Sequence, residues 1–181
     1  MNKNATLRLV LSAMFLAIGL VLPFFTGQIQ QIGNMLLPMH IPVFLCAFIC
    51  GWQYAGTVGL SLPLIRSIWF GMPMLYPNAI AMSIELAVYG IAAGLIYRLI
   101  KCRRAWAVYA AMLPAMLLGR IVWGGAQYLL LGIKGSEFTF QAFFAGAFGA
   151  AVPGIILQLV LVPAIVAALN SKGYVLNEHN G

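Results

Sequence analysis

Aspartate is absent from this chain, and glutamate occurs only at Glu85, Glu137 and Glu178. Metal-assisted phosphoryl transfer needs carboxylates on magnesium, and a phosphate-cradling G-x-x-x-x-G-K-[ST] loop is missing as well. The chain therefore carries no motif for hydrolysing ATP. Its cysteines, Cys46, Cys50 and Cys102, are too few and too apolar in setting for a disulfide or zinc framework. They read as small core residues. No nucleophile stands with a base, no carboxylates cluster, and no G-x-S-x-G elbow occurs, which argues against a membrane-embedded enzyme. Neither a metal nor a cofactor is expected.

Charge is scarce too, at 7% of residues, whereas 63% are hydrophobic and the mean hydropathy is +0.98. No soluble domain needs so much apolar surface, so the composition predicts an all-α integral membrane protein. Residues 1–181 form one membrane domain with spans expected over 7–25, 36–52, 54–70, 76–100, 106–131 and 140–169. The first run resembles a signal peptide in charge pattern, but no A-x-A-like cleavage site follows, so it counts as a span. The net charge of +7 does not point to nucleic acid, because the basic residues form no continuous face. Lys3, Arg8, Arg98, Lys101, Arg103, Arg104 and Lys172 fall on one side of a six-span topology, and Lys134 alone lies outside the spans on the other. By the positive-inside rule the N- and C-termini are cytoplasmic.

The stretch 34–77 combines hydrophobicity with punctuation. Proline recurs at Pro38, Pro42, Pro63, Pro73 and Pro77, and Arg66 sits among apolar residues. Broken helices are tolerated in a bilayer only where protein or an aqueous cavity satisfies the freed backbone groups. An intramembrane arginine marks a functional-site hypothesis, because burying it unpartnered is costly. Two short spans folded back beside a polar pocket are expected, with G-W-Q-Y-A-G (51–56) as the turn between them.

Depth along each span can be read from the helical rise. Arg66, Arg120 and Glu85 lie about 18, 21 and 13 Å from their points of entry, which puts all three in the outer half of the membrane. Asn78, Met82, Glu85 and Tyr89 share one stripe of the fourth span, and Arg120, Trp123 or Gly124, and Gln127 share one of the fifth. Arg66 shares a face with Trp69 and Phe70, and His40 lies at the outer end of the second span. The functional reading is an outward-facing binding cavity with aromatic walls and a few directional polar groups. Two arginines against one glutamate favour an anionic ligand. The structural alternative pairs Glu85 with one arginine as a helix clamp while the other snorkels to the interface. For His40, packing is a full alternative to ligand contact, and for Trp69 and Trp123 an outer aromatic belt is another. Ala13 and Ala17, four apart, let another helix approach closely, although on this pair alone ordinary internal packing is the better explanation.

The runs M-H-I-P-V-F-L-C-A-F-I-C-G-W (39–52), P-L-I-R-S-I-W-F-G-M-P (63–73) and Y-P-N-A-I-A-M-S-I-E-L-A-V-Y-G (76–90) carry a resemblance. With the size, the six spans and Ala13-x-x-x-Ala17, they resemble the substrate-binding S-component of energy-coupling-factor (ECF) vitamin transporters, in its pantothenate- and riboflavin-type branch. The resemblance implies a multi-pass protein of a bacterial cell membrane that binds a water-soluble vitamin from outside without catalysis. It implies two kinds of partner, a transmembrane coupling protein and two cytoplasmic ATPases. It also implies that Ala13 and Ala17 meet the coupling protein, that Asn34 in the loop after the first helix helps cover the ligand, and that the protein tips over to release it. A small carboxylate such as pantothenate would give Arg66 or Arg120 a direct partner, whereas a flat, neutral flavin needs stacking surfaces rather than two arginines. Riboflavin, cobalamin and pyridoxine remain alternatives. Two other classes compete: a stand-alone secondary transporter using Glu85 for proton coupling, and a structural subunit that binds no small molecule.

Overall fold

The computed structural model describes residues 3–26, 36–100, 105–133, 135, 139–144, 149 and 151–170. Asn34, the basic loop residues Lys101, Arg103 and Arg104, and Lys134, Glu137 and Lys172 lie outside the described residues. Those described are helical, with no strand among them.

Helix α1 (Lys3–Val21) runs into a 3-10 turn over Leu22–Thr26. The change falls at Pro23, which has no N–H to give the carbonyl four residues back and whose ring crowds it. Helix α2 (His40–Ile49) is short because Pro38 delays its start; Pro42 is tolerated in the first turn, where N–H groups have no intrahelical partner. All ten α2 residues are buried, so the helix is enclosed around its whole circumference and occupies the middle of the bundle. At about 15 Å it is half the length of a crossing.

The turn between α2 and α3 (Trp52–Phe70) is tighter than the sequence suggests. It comprises Cys50 and Gly51, the latter at φ 103, and the helix resumes at Trp52 rather than Tyr54. Gly51 permits this because a side chain is strained at that φ. A turn over Leu75–Ala79, interrupted by extended Tyr76, leads into α4 (Ile80–Leu99). Helix α5 (Ala105–Ile133) continues across Pro114. Within the expected sixth span the described residues include a short α6 (Phe140–Phe144) and a long α7 (Val152–Asn170).

Among the described residues four stretches are long and apolar enough to cross a membrane: Ala5–Phe25, Leu75–Leu99, Trp106–Ile133 and Val152–Asn170. Helix α3 has the length but carries Gln53, Thr57, Ser61, Arg66 and Ser67. It lowers its polarity by back-bonding, Thr57 donating to the Gln53 carbonyl (2.6 Å) and Ser61 to that of Thr57 (2.8 Å).

Helix directions follow from residue contacts. Arg66 near the end of α3 reaches Leu20 near the end of α1, so these two helices run parallel. Helices α3 and α4 are antiparallel, Gly59 lying on Leu86 and Gly90 on Ala55. Their backbones meet so closely that a Cβ on Gly59 would stand 2.4 Å from the Leu86 carbonyl oxygen. Helices α4 and α5 are antiparallel as well, joined by Glu85–Arg120 and Asn78–Gln127. The outer surface is apolar: Leu9, Val10 and Met14 on α1, Leu113, Leu117 and Ile121 on α5, and Ile156 and Val160 on α7 are exposed. A lipid-facing wall has that composition.

Candidate functional site

Four of the sequence-predicted residues come together inside the bundle. Glu85 on α4 lies 3.0 Å from Arg120 Nη1 on α5 and 3.6 Å from His40 Nε2 on α2. Tyr89, one turn below Glu85, packs its ring 5.3 Å from that of His40 and 5.2 Å from that of Phe44. The Tyr89 ring fits because Gly119 offers bare backbone: a Cβ there would stand 1.9 Å from a ring carbon. His40, Glu85, Tyr89 and Arg120 are all buried. The cluster is thus enclosed rather than open to an outward-facing cavity.

The hydrogen bonding of this cluster is incomplete. Neither imidazole nitrogen of His40 has a hydrogen-bond partner, nor do Nε and Nη2 of Arg120. Glu85 Oε1 is close enough to Arg120 for an ion pair, but the bond is not aligned. Buried polar groups are ordinarily satisfied, and here several without a partner gather at one place.

A second polar contact lies toward the end of α5. Gln127 Nε2 donates to Asn78 Oδ1 (3.2 Å), leaving Gln127 Oε1 without a partner, and the Tyr76 hydroxyl donates to the Leu130 carbonyl. Trp123, half-buried, stacks on Phe143 of α6 with centroids 6.3 Å apart.

Arg66 and Trp69 are placed elsewhere. Arg66 is 2% exposed, yet its Nη1 donates to the Leu20 carbonyl at 2.7 Å, and its guanidinium lies 5.0 Å from the Phe24 ring and 5.4 Å from that of Phe70. Among the described residues Glu85 is the one carboxylate, and it faces Arg120 instead. The two arginines share a depth but not a site. Trp69 is 69% exposed on the lipid side of α3, touching Phe70 edge to face.

Ala13 and Ala17 are exposed on α1. Ala13 lines a groove of about 320 Å³ with Leu9, Ser12, Leu16, Tyr54, Thr57 and Ser61, between α1 and α3. Ser12 donates to the Leu9 carbonyl (2.8 Å), so with Thr57 and Ser61 back-bonded as well the three aliphatic hydroxyls in the groove are satisfied.

The family model for the substrate-specific component of ECF transporters matches residues 7–168, nearly the whole described bundle. The chain belongs to that family. Comparison with curated proteins and with solved structures returns no match. This S-component is accordingly a multi-pass membrane protein and a transporter subunit, not an enzyme. Membership brings a small-molecule substrate and association with a transmembrane coupling protein and ATPases. That division of labour accounts for a chain without a phosphate loop.

Sequence reasoning passed over Phe44, Gly119 and Gln158 of this S-component. Phe44 and Gly119 have no distinguishing signal, being one aromatic and one glycine among many. Gln158 has one: it is the lone polar side chain in the apolar run 152–169.

Proposed function

We propose that this S-component captures pantothenate for ATP-driven uptake, binding it between α2, α4 and α5. The observation that carries the reading is the enclosed cluster of His40, Glu85 and Arg120 with hydrogen-bonding groups left open. Arg120 holds Glu85 through Nη1 and keeps Nε and Nη2 unused, enough to take a second carboxylate in the two-point manner that suits a guanidinium. His40, Asn78 and Gln127 supply uncharged donors and acceptors for the rest of the molecule. Riboflavin fits less well: the Phe44 and Tyr89 rings that would stack on a flavin already stack on each other, 22° from parallel. Helices α1, α2, α3, α4, α5 and α7 make six passes in this reading, because α1 and α3 run parallel and α2 must return the chain between them. Both termini then lie in the cytoplasm of a bacterial cell.

Two measurements test the proposal. Calorimetry on the purified chain in detergent should find tight binding of pantothenate from a panel that includes riboflavin, pyridoxine and cobalamin. Silence across the panel from a folded sample would defeat it. In liposomes the chain alone should bind without accumulating substrate; accumulation driven by a pH gradient would instead make Glu85 a proton-coupling group. Ala13→Trp fills the groove beside α3 and should leave affinity unchanged while abolishing uptake by the assembled transporter. Equal loss of binding would remove Ala13 from the partner interface.

A further inference from the structure

Gln158 is the polar side chain that the fold explains least. It lies on α7 with Gly154, Val162 and Val166, a buried stripe that is otherwise apolar. Its exposure is 0%, and neither Nε2 nor Oε1 has a hydrogen-bond partner. Helix α7 packs against α2 and α5, the helices that carry His40 and Arg120. A carboxamide left unsatisfied in a bundle core is unfavourable, and leucine, of similar size, would fill the position without that cost. The residue therefore works against the stability of the empty protein. Its open donor and acceptor come in addition to those of His40, Arg120 and Gln127 on the neighbouring helices.

We propose that Gln158 is a ligand-contacting residue whose carboxamide gives one hydrogen bond to, and accepts one from, an uncharged polar group of the substrate. The inference rests on the proposed site and narrows its substrate class: a small acid held at one end by Arg120, with an amide or hydroxyl group farther along for Gln158. A group that both donates and accepts suits a carboxamide, which offers both from one side chain. A purely apolar tail would leave Gln158 unsatisfied in the bound state as well. It also makes α7 the fourth wall of the site beside α2, α4 and α5.

The test uses the full chain in detergent, titrated calorimetrically with pantothenate, riboflavin, pyridoxine and cobalamin, beside Gln158→Leu and Gln158→Asn. Q158L should bind the vitamin that the unchanged protein prefers at least tenfold more weakly, and Q158N should fall between the two. Without ligand, Q158L should melt at the same temperature as the unchanged protein or higher, since it removes an unsatisfied group and keeps the volume. Binding by Q158L within twofold of the unchanged protein overturns the Gln158 inference and leaves the vitamin-binding reading standing. A Q158L protein that melts well below the unchanged one without ligand overturns it too, because the carboxamide then serves the fold. Preference for a vitamin without a carboxylate overturns the acid-bearing substrate class. If the unchanged protein binds none of the probes, the proposed function fails and this inference fails with it.

Discussion

Arg66 and Arg120 look interchangeable in the sequence: each is a lone cation in the outer half of an apolar span. Their surroundings differ in kind. Arg120 faces a carboxylate across a helix interface and leaves two guanidinium nitrogens unused. Arg66 meets no carboxylate among the described residues; it caps the Leu20 carbonyl and lies against two phenylalanine rings. The first arrangement leaves hydrogen-bonding capacity for a ligand. The second spends a cation on joining α1 to α3 through a carbonyl in the last turn of α1. A buried charge in a membrane bundle can thus be a joint as well as a site, and its partners decide which.

Breaking the Arg120 arrangement should have the largest effect. Glu85→Ala leaves a buried guanidinium uncompensated, which for buried ion pairs costs ~3–5 kcal/mol. The purified chain should melt well below the unchanged protein and should lose substrate binding. The double variant Glu85→Leu with Arg120→Met removes both charges and should recover most of the stability, because apolar replacements of a whole pair are often neutral or better. It should not recover binding. If the double variant melts as low as the single one, the pair is not what Glu85→Ala disrupts.

Arg66→Met should have a smaller and different consequence. It removes one hydrogen bond from a charged donor, a loss of ~1.5–3 kcal/mol, and leaves no unpaired carboxylate behind. Thermal unfolding should report a moderate loss, and calorimetry should show affinity much less affected than in the Glu85 variant. Were Arg66→Met to abolish binding while sparing the melting temperature, Arg66 would belong with the ligand and the contrast between the two arginines would collapse.

These differences mark where the sequence stops being informative. That Glu85 and two arginines lie at one depth was legible from helical rise and hydrophobic span length, but which of Arg66 and Arg120 meets Glu85 was not. The helical membrane character followed from composition alone. The length of α2 was not legible to within a turn, because Pro38 and Pro42 act on the start of a helix whose end is set by Gly51. The partner of Arg66 was hidden for a different reason. A main-chain carbonyl has no residue type, so pairing charges in a sequence cannot find it.

Trp69 gives the smallest expected effect and the sharpest limit to the comparison. It shares the face of α3 that the sequence assigns to Arg66, yet the arginine turns inward to Leu20 and the indole is 69% exposed. Three residues advance a helix by 300° rather than a full turn, so neighbours on one nominal stripe can diverge where the buried face narrows. An exposed aromatic with one edge contact, to Phe70, should be replaceable by alanine within ~0.5 kcal/mol of stability. Substrate affinity should be unchanged, because nothing joins Trp69 to the Glu85 cluster except the backbone of α3. Calorimetry on Trp69→Ala that showed a tenfold loss would place the ligand on the α3 side of the bundle, and would move the site from Arg120 to Arg66.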